Sequence, residues 1–252
     1  MSPFDPVEAL ALPSDALIDR RVPKTLLIEN GTFAPGDRRR IQEGVEELRW
    51  LAVLKPATVG IAEYRDAERE YIEIAVLKLE LRSAVRSERL VELVHRAVPY
   101  PVLLIVWLDG TPELSLAHKR RSLGEADKTV IDGTIVVAPI PDECPTESLG
   151  AFREALALKR QPRGTLKDLY QGWIDTVHAF RAAAITGGFR LCSTTAAASD
   201  REAALREYWR FNERIEKILS VARQEKQMRR RADMNVKLAR LRADRDSARD
   251  RL

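Results

Sequence analysis

The chain has 252 residues, of which 45% are apolar and 32% charged, and its formal net charge is +4. These values fit a soluble globular protein carrying a charge-rich segment, and no apolar run reaches the ~20 residues of a membrane helix. Cys144 and Cys192 stand in no CxxC or Cys/His ligand spacing and read as two ordinary thiols. The start of the chain lacks the basic and long apolar regions of a signal peptide, so the expected compartment is the cytoplasm.

Asp15 to Arg21 reads as a short helical turn, and KTLLIE (24–29) as a short strand or extended arm ended by Asn30-Gly31. Pro35 to Leu54 carries Ile41, Val45, Leu48 and Ala52 at steps of four, three and four, the stripe of one amphipathic helix stopped by Pro56. TVGIA (58–62) reads as a strand, Glu63 to Glu70 as a charged connector, and Tyr71 to Leu81 as a longer strand. Ser83 to Ala97 is a predicted helix with its cap at Ser87.

Pro101 to Leu108 is an unbroken apolar run that suits a central strand covered on both faces. Asp109-Gly110 is a strong hairpin signal, because both residues tolerate φ > 0. The partner strand alternates, with Leu114, Leu116 and His118 on one face and Ser115, Ala117 and Lys119 on the other. Asp132-Gly133 implies a further hairpin between Thr129–Ile131 and Thr134–Ala138.

After Pro141 the pattern becomes helical. Thr146 to Leu158 is a short helix, and Lys159 to Gly164 a basic linker. Thr165 to Ile185 repeats Leu166, Leu169, Trp173, Val177, Phe180 and Ala184 at nearly coiled-coil spacing, started by Thr165 with Asp168 and stopped by Gly187-Gly188. Ser199 with Glu202 reads as a capping box. From there no Gly or Pro occurs, so a helix of up to 54 residues, about 80 Å, is allowed. Two short heptad segments within it are joined by the polar stretch RQEKQMRRRAD. A helix of that length must pack on the preceding helix, on the sheet domain or on a second chain.

The expected class is therefore α+β: a mixed β-sheet domain with packed helices over 1–145, a helical connector over 146–198, and a long, basic, coiled-coil-like C-terminal helix over 199–252. From Asp200 onward, 16 Lys and Arg face 10 Asp and Glu, an excess of six positive charges, while the remainder holds 26 against 28. A polyanion is drawn to the C-terminal fifth.

No phosphate-binding loop, dinucleotide fingerprint, zinc-protease motif or nucleophile elbow occurs, and no cofactor or metal site is expected. His95 and His178 fall in amphipathic helices and read as partly buried structural residues. His118, beside Lys119, Arg120 and Arg121, reads either as a solvated strand end or as a phosphate contact. One constellation has the outline of a magnesium nuclease of the restriction-endonuclease-like class. Asp66 precedes a strand bearing Glu80-Leu81-Arg82, with Arg82 in place of the usual lysine. A second constellation is basic. Arg223, Lys226, Arg229, Arg230 and Arg231, with Lys119 and Arg120 elsewhere, are candidates for phosphate contacts. On one continuous helix, 223, 226 and 230 share a side. Glu225 and Asp233 also allow a charged coiled-coil flank, and no aromatic residue is interleaved for single-strand stacking.

ELRWLAVLKPATVGI (47–61), YIEIAVLKLELR (71–82), VPYPVLLIVW (98–107), SLAHKR (115–120) and EKQMRRRADMNVKLARL (225–241) together resemble a family of bacterial proteins of this length, known only as a domain of unknown function. The resemblance covers nearly the whole chain and rests on the order of these segments. It implies a setting beside DNA methyltransferases and helicases of restriction-modification or phage-defence clusters, and it brings no catalytic residues to carry over. The leading expectation is a non-enzymatic accessory or adaptor whose partners are helicase or methyltransferase subunits, and DNA through its backbone phosphates. A divergent metal-dependent nuclease is one alternative. The other is an oligomerisation module that pairs copies of the chain through the C-terminal helix.

Overall fold

The computed structural model describes residues 4–83, 86–125, 128–141 and 144–252, which fall into two compact units, Met1–Val177 and His178–Leu252.

The first unit runs α1 (Pro6–Leu10), β1 (Leu17–Arg21), α2 (Lys24–Asn30), α3 (Pro35–Gly44), β2 (Val45–Leu54), α4 (Pro56–Val59), β3 (Tyr64–Arg65), β4 (Glu70–Tyr71) and β5 (Ile74–Leu81). It continues with α5 (Ser87–Ala97), β6 (Val102–Leu108), β7 (Thr111–Arg121), β8 (Thr129–Pro139), α6 (Thr146–Leu156) and the first half of α7 (Leu166–Thr186). Six strands form one sheet in the order β1-β2-β5-β6-β7-β8, and β3 pairs with β4 apart from it. Only the central β5–β6 pair is parallel, because α5 crosses between them; every other pair is antiparallel. The mixed α+β architecture is as the sequence predicts.

One sheet face packs on α2, α3 and α5. Ala75, Leu77 and Leu79 of β5 and Val102, Leu104 and Val106 of β6 meet Leu27, Ile41, Leu90, Leu93 and Val94. The opposite face is met at His118 by Tyr170 and Gln171 of α7. Asp109 and Gly110 both take positive φ, 51° and 81°, and turn β6 into β7 as expected.

Several elements differ from the sequence reading for identifiable reasons. The single helix expected over Pro35–Leu54 is α3 followed by strand β2. β2 carries two irregularities of register, between Val45 and Glu47 and between Trp50 and Ala52. The first bulge sets Val45 and Leu48 three apart on one face, and the second turns Ala52, paired with Val76, to the opposite face; because both faces are covered, the buried positions fall three and four apart, as on a helix. KTLLIE is helix α2, entered from Pro23, rather than an arm. The expected turn over Asp15–Arg21 is a 3₁₀ turn at Ser14–Ala16 followed by β1. TVGIA is not a strand: Pro56 opens α4, Lys55 N donates to Thr58 Oγ1 at 3.0 Å, and Gly60 closes it at φ 65°. The charged connector 63–70 contains the β3–β4 hairpin. Of the helix expected over Ser83–Ala97, residues 84–85 lie outside the described residues; α5 starts at Ser87, behind Arg86 and without a side-chain cap.

Asp132-Gly133 does not turn a hairpin. Leu116 pairs with Val136 and His118 with Asp132, so two β7 steps face four β8 steps, and Gly133 (φ 82°) lies in a bulge within one strand.

In α7 the predicted stripe is buried at Leu166, Leu169, Trp173, Val177 and Phe180, whereas Ala184 is exposed. The second unit holds the end of α7, then α8 (Thr195–Gln224) and α9 (Met228–Arg249). The α8 cap is Thr194, whose hydroxyl accepts from Ala197 N at 3.2 Å. Ser199 and Glu202 are therefore inside the helix, because the alanine-rich TTAAAS stretch already forms its first turn. The C-terminal region is helical and long, as expected, but it breaks at Glu225–Gln227 inside the polar stretch. Its two halves pack on each other: Ile215 of α8 with Leu238 and Leu241 of α9, joined by Phe211, Ile218 and Leu219. Further along α9, Arg245 lies over the Tyr208 ring and Arg251 pairs with Glu207, so the helices run antiparallel.

Candidate nucleic-acid interface

The turn between α8 and α9 gathers five cations. Arg223 lies in the last turn of α8, Lys226 lies in the three-residue connection, and Arg229, Arg230 and Arg231 occupy the first turn of α9. Because the helix breaks here, these residues share a turn rather than one face. All five are exposed. Glu225 accepts from Gln227 N at 2.8 Å and reaches Arg230 at 3.8 Å, so it offsets one cation. Arg223, Lys226, Arg229 and Arg231 have no carboxylate partner among the described residues.

The N-terminus of α9 adds its own positive end. No side chain caps it, so its first backbone N–H groups point outward beside the arginines. The tip lies nine residues beyond Ile215, about 14 Å at 1.5 Å per residue, past the apolar cluster of the hairpin. Met228, 79% exposed, and Val221, 54% exposed, complete the surface. Such a turn can collect phosphate oxygens without reading bases.

The sheet-borne candidates are placed differently. Lys119 is 2% exposed, and its ammonium donates to the carbonyls of His95 and Val98 (2.8 Å to Val98), so it faces the core rather than a phosphate. The strand alternation that puts Lys119 beside Ser115 and Ala117 points it at the end of α5. Arg120 lies 3.8 Å from Asp132, and Arg121 pairs with Glu70. Arg120 and Arg121 already have carboxylates, unlike four of the five cations of the α8–α9 turn.

Asp66, Glu80 and Arg82 each have separate partners. Asp66 accepts from Tyr64 Oη (2.7 Å) and from the backbone N–H of Glu68 and Arg69 (2.8 and 2.6 Å), which hold its pKa down to about 2. It closes the β3–β4 turn. Glu80 pairs with Lys78 at 2.6 Å, and Arg82 donates to the Glu43 carbonyl at 3.2 Å. Glu80 shares a register row with Trp107 and Pro112, whereas Glu68 O, next to Asp66, accepts from Arg121 N. Pro112 and Arg121 are nine residues apart on β7, about 30 Å at the strand rise, so the two carboxylates belong to opposite ends of the sheet. Among the described residues no group of three His, Cys, Asp or Glu could hold a metal ion.

The sequence reading missed a polar network at the bulge. His118 is neither a solvated strand end nor a phosphate contact: its ring lies 5.5 Å from Tyr170 and 6.0 Å from Tyr71. Its Nε2 donates to Gln171 Oε1 at 2.8 Å, which leaves Nδ1 to accept from Tyr71 Oη, and Gln171 Nε2 donates onward to Asp175 Oδ1 at 2.9 Å. Burial lowers the His118 pKa and raises that of the Tyr71 phenol beyond the usual range. The Tyr170 hydroxyl accepts from Ala117 N (2.9 Å) and donates toward Val102 O (2.7 Å), bridging the β6 and β7 backbones where Val102 and Ala117 pair. Only the meeting of a helix tyrosine with the β6–β7 ladder could have signalled this, and it is not visible in local spacing.

No helix is long and apolar enough to cross a membrane among the described residues. No curated protein and no solved structure matches the chain. A family model, described only as a domain of unknown function (DUF4391), matches residues 10–244, and the chain belongs to that family.

Proposed function

We propose that this chain is a non-enzymatic accessory protein of a DNA-processing complex of the restriction-modification or phage-defence kind, and that it holds DNA by backbone phosphates at the α8–α9 turn. The observation that carries this reading is the set of four exposed cations, Arg223, Lys226, Arg229 and Arg231, left without carboxylates around an uncapped helix N-terminus. Lys and Arg without internal partners release counterions when they meet phosphates, and a helix N-terminus favours the same charge. The surface has no base-stacking aromatic, so it suits duplex backbone rather than unpaired bases. Partner subunits of helicase or methyltransferase type would supply sequence recognition and chemistry.

Anisotropy titration with duplex DNA across a salt series tests the DNA contact. The wild type binds at low salt with a slope of about 0.9 per phosphate engaged, and the triple variant Arg229→Glu, Arg230→Glu, Arg231→Glu binds more weakly with a flatter slope. A wild type that ignores duplex DNA at low salt overturns the DNA contact. A tagged chain that recovers no helicase or methyltransferase from its host overturns the accessory role.

A further inference from the structure

The second unit contains another group of cations that the α8–α9 turn does not explain. His178 of α7 is 4% exposed, and neither ring nitrogen has a hydrogen-bond partner among the described residues. Arg201 of α8 is 9% exposed. Its Nη1 donates to the Arg190 carbonyl at 2.6 Å, while its buried Nε has no partner. Arg181 lies one helical turn after His178 and is partly buried, which lowers the pKa of its guanidinium; it has no carboxylate partner among the described residues. The charges that act on His178 are those of Arg181, Glu202, Arg201 and Arg206. Glu202 is already committed to Arg206, at 2.7 Å.

The charge balance around the ring is therefore uneven. Arg206 and Glu202 neutralise each other, and two guanidinium groups remain beside a histidine that burial keeps neutral. A buried cation such as Arg201 is costly unless it is paired, and the charge of Arg181 acts on the same imidazole. Three buried polar atoms without partners and two uncompensated positive charges are what an oxyanion with two negative charges would satisfy. Arginine pairs with such groups through two parallel N–H bonds, and a neutral imidazole contributes one further donor. A phosphodiester of duplex backbone carries a single charge and sits inside its strand, so it suits the exposed turn better than this cluster.

We propose that His178, Arg181 and Arg201 form an anion site for a dianionic phosphate, supplied as inorganic phosphate or as the terminal phosphate monoester of a nucleic-acid end. The site is independent of the α8–α9 turn and of the reading built on it.

Calorimetric melting of the full chain in sodium phosphate against sodium chloride, at matched pH and ionic strength, tests the site. The wild type melts several degrees higher in phosphate. Arg181→Gln abolishes that rise, yet melts in chloride no lower than wild type, because an unpaired, partly buried cation has been removed. An arginine with only a structural role would instead lower the melting temperature in both salts. A strand bearing a terminal phosphate is then compared with the same strand lacking it. Binding roughly tenfold tighter, lost in Arg181→Gln, assigns the nucleic-acid end. Equal binding of the two strands, with the phosphate-induced rise present, assigns the free anion. The charge-reversed triple variant at Arg229, Arg230 and Arg231 keeps either response, which separates this site from the turn. No difference between phosphate and chloride together with no preference for the phosphorylated strand overturns the proposal, as does a response that survives in Arg181→Gln.

Discussion

Lys119 on β7 donates from its ammonium to the carbonyl oxygen of Val98, the residue that ends α5, at 2.8 Å, and to His95 O in the same helix turn. A helix leaves its last carbonyls without internal partners, and their dipoles favour a cation. The strand thus supplies the C-terminal cap of the helix that crosses between β5 and β6.

This cap makes stability depend on pH in a stated direction. Burial brings Lys119 down to about 7 from 10.5. Between those values the unfolded chain binds a proton that the folded chain has released, so stability rises with pH across the window and is lowest below 7. The contribution approaches about 1.4 kcal/mol per pH unit at its steepest. Urea midpoints measured across the window will climb for the wild type and climb less for Lys119→Met.

His95 acts in the acid range. It is fully buried, bonded through Nε2 to Ser115 Oγ at 2.8 Å, and burial lowers it to about 3. The unfolded chain takes up a proton below 6.5 that the folded chain refuses, so stability is lost as pH falls from 6.5 toward 3. Acid unfolding followed by circular dichroism will show a shallower loss in His95→Leu than in wild type.

Tyr170→Phe removes the hydroxyl that accepts from Ala117 N and donates toward Val102 O. The Ala117 N–H is left buried without a partner, at a cost of about 1–3 kcal/mol. The loss will appear as a lower urea midpoint at an unchanged slope.

Gly133→Ala tests the β8 bulge. At φ 82° a Cβ is strained although nothing lies within 4 Å of it, so the cost is conformational, about 1 kcal/mol, and not steric. Thermal melting will register a small decrease. The same substitution at Gly36, where no positive φ is required, will leave stability unchanged or raised.

What was legible in the sequence followed from strong local signals. The β6–β7 hairpin was visible because an apolar run meets Asp109-Gly110, and α7 because Thr165 opens a regular stripe that Gly187 closes. β2 was hidden because two bulges and the burial of both its faces gave a strand the spacing of a helix. The Asp132-Gly133 pair misled because a positive-φ glycine serves an interior bulge as well as a turn. The basic turn was legible as composition and as a polar interruption of the heptads, but not as a reversal of the chain, since no Gly or Pro marks where α8 ends. Lys119 was miscast because a lysine beside two arginines resembles surface, whereas strand alternation alone decides which of the three turns inward. The cluster of His178, Arg181 and Arg201 joins two helices and could not be seen along the chain.

The small apolar cluster of the α8–α9 hairpin has a dynamic consequence. Ile215, Leu238 and Leu241 are buried, while Val221, Met228 and Val236 lie open to solvent. Opening the distal end therefore exposes little new apolar surface, so its amide protons exchange with solvent far sooner than those near Ile215. Whatever settles on the arginines of the tip must also arrest this fraying, and part of its binding energy is spent on ordering the helix ends.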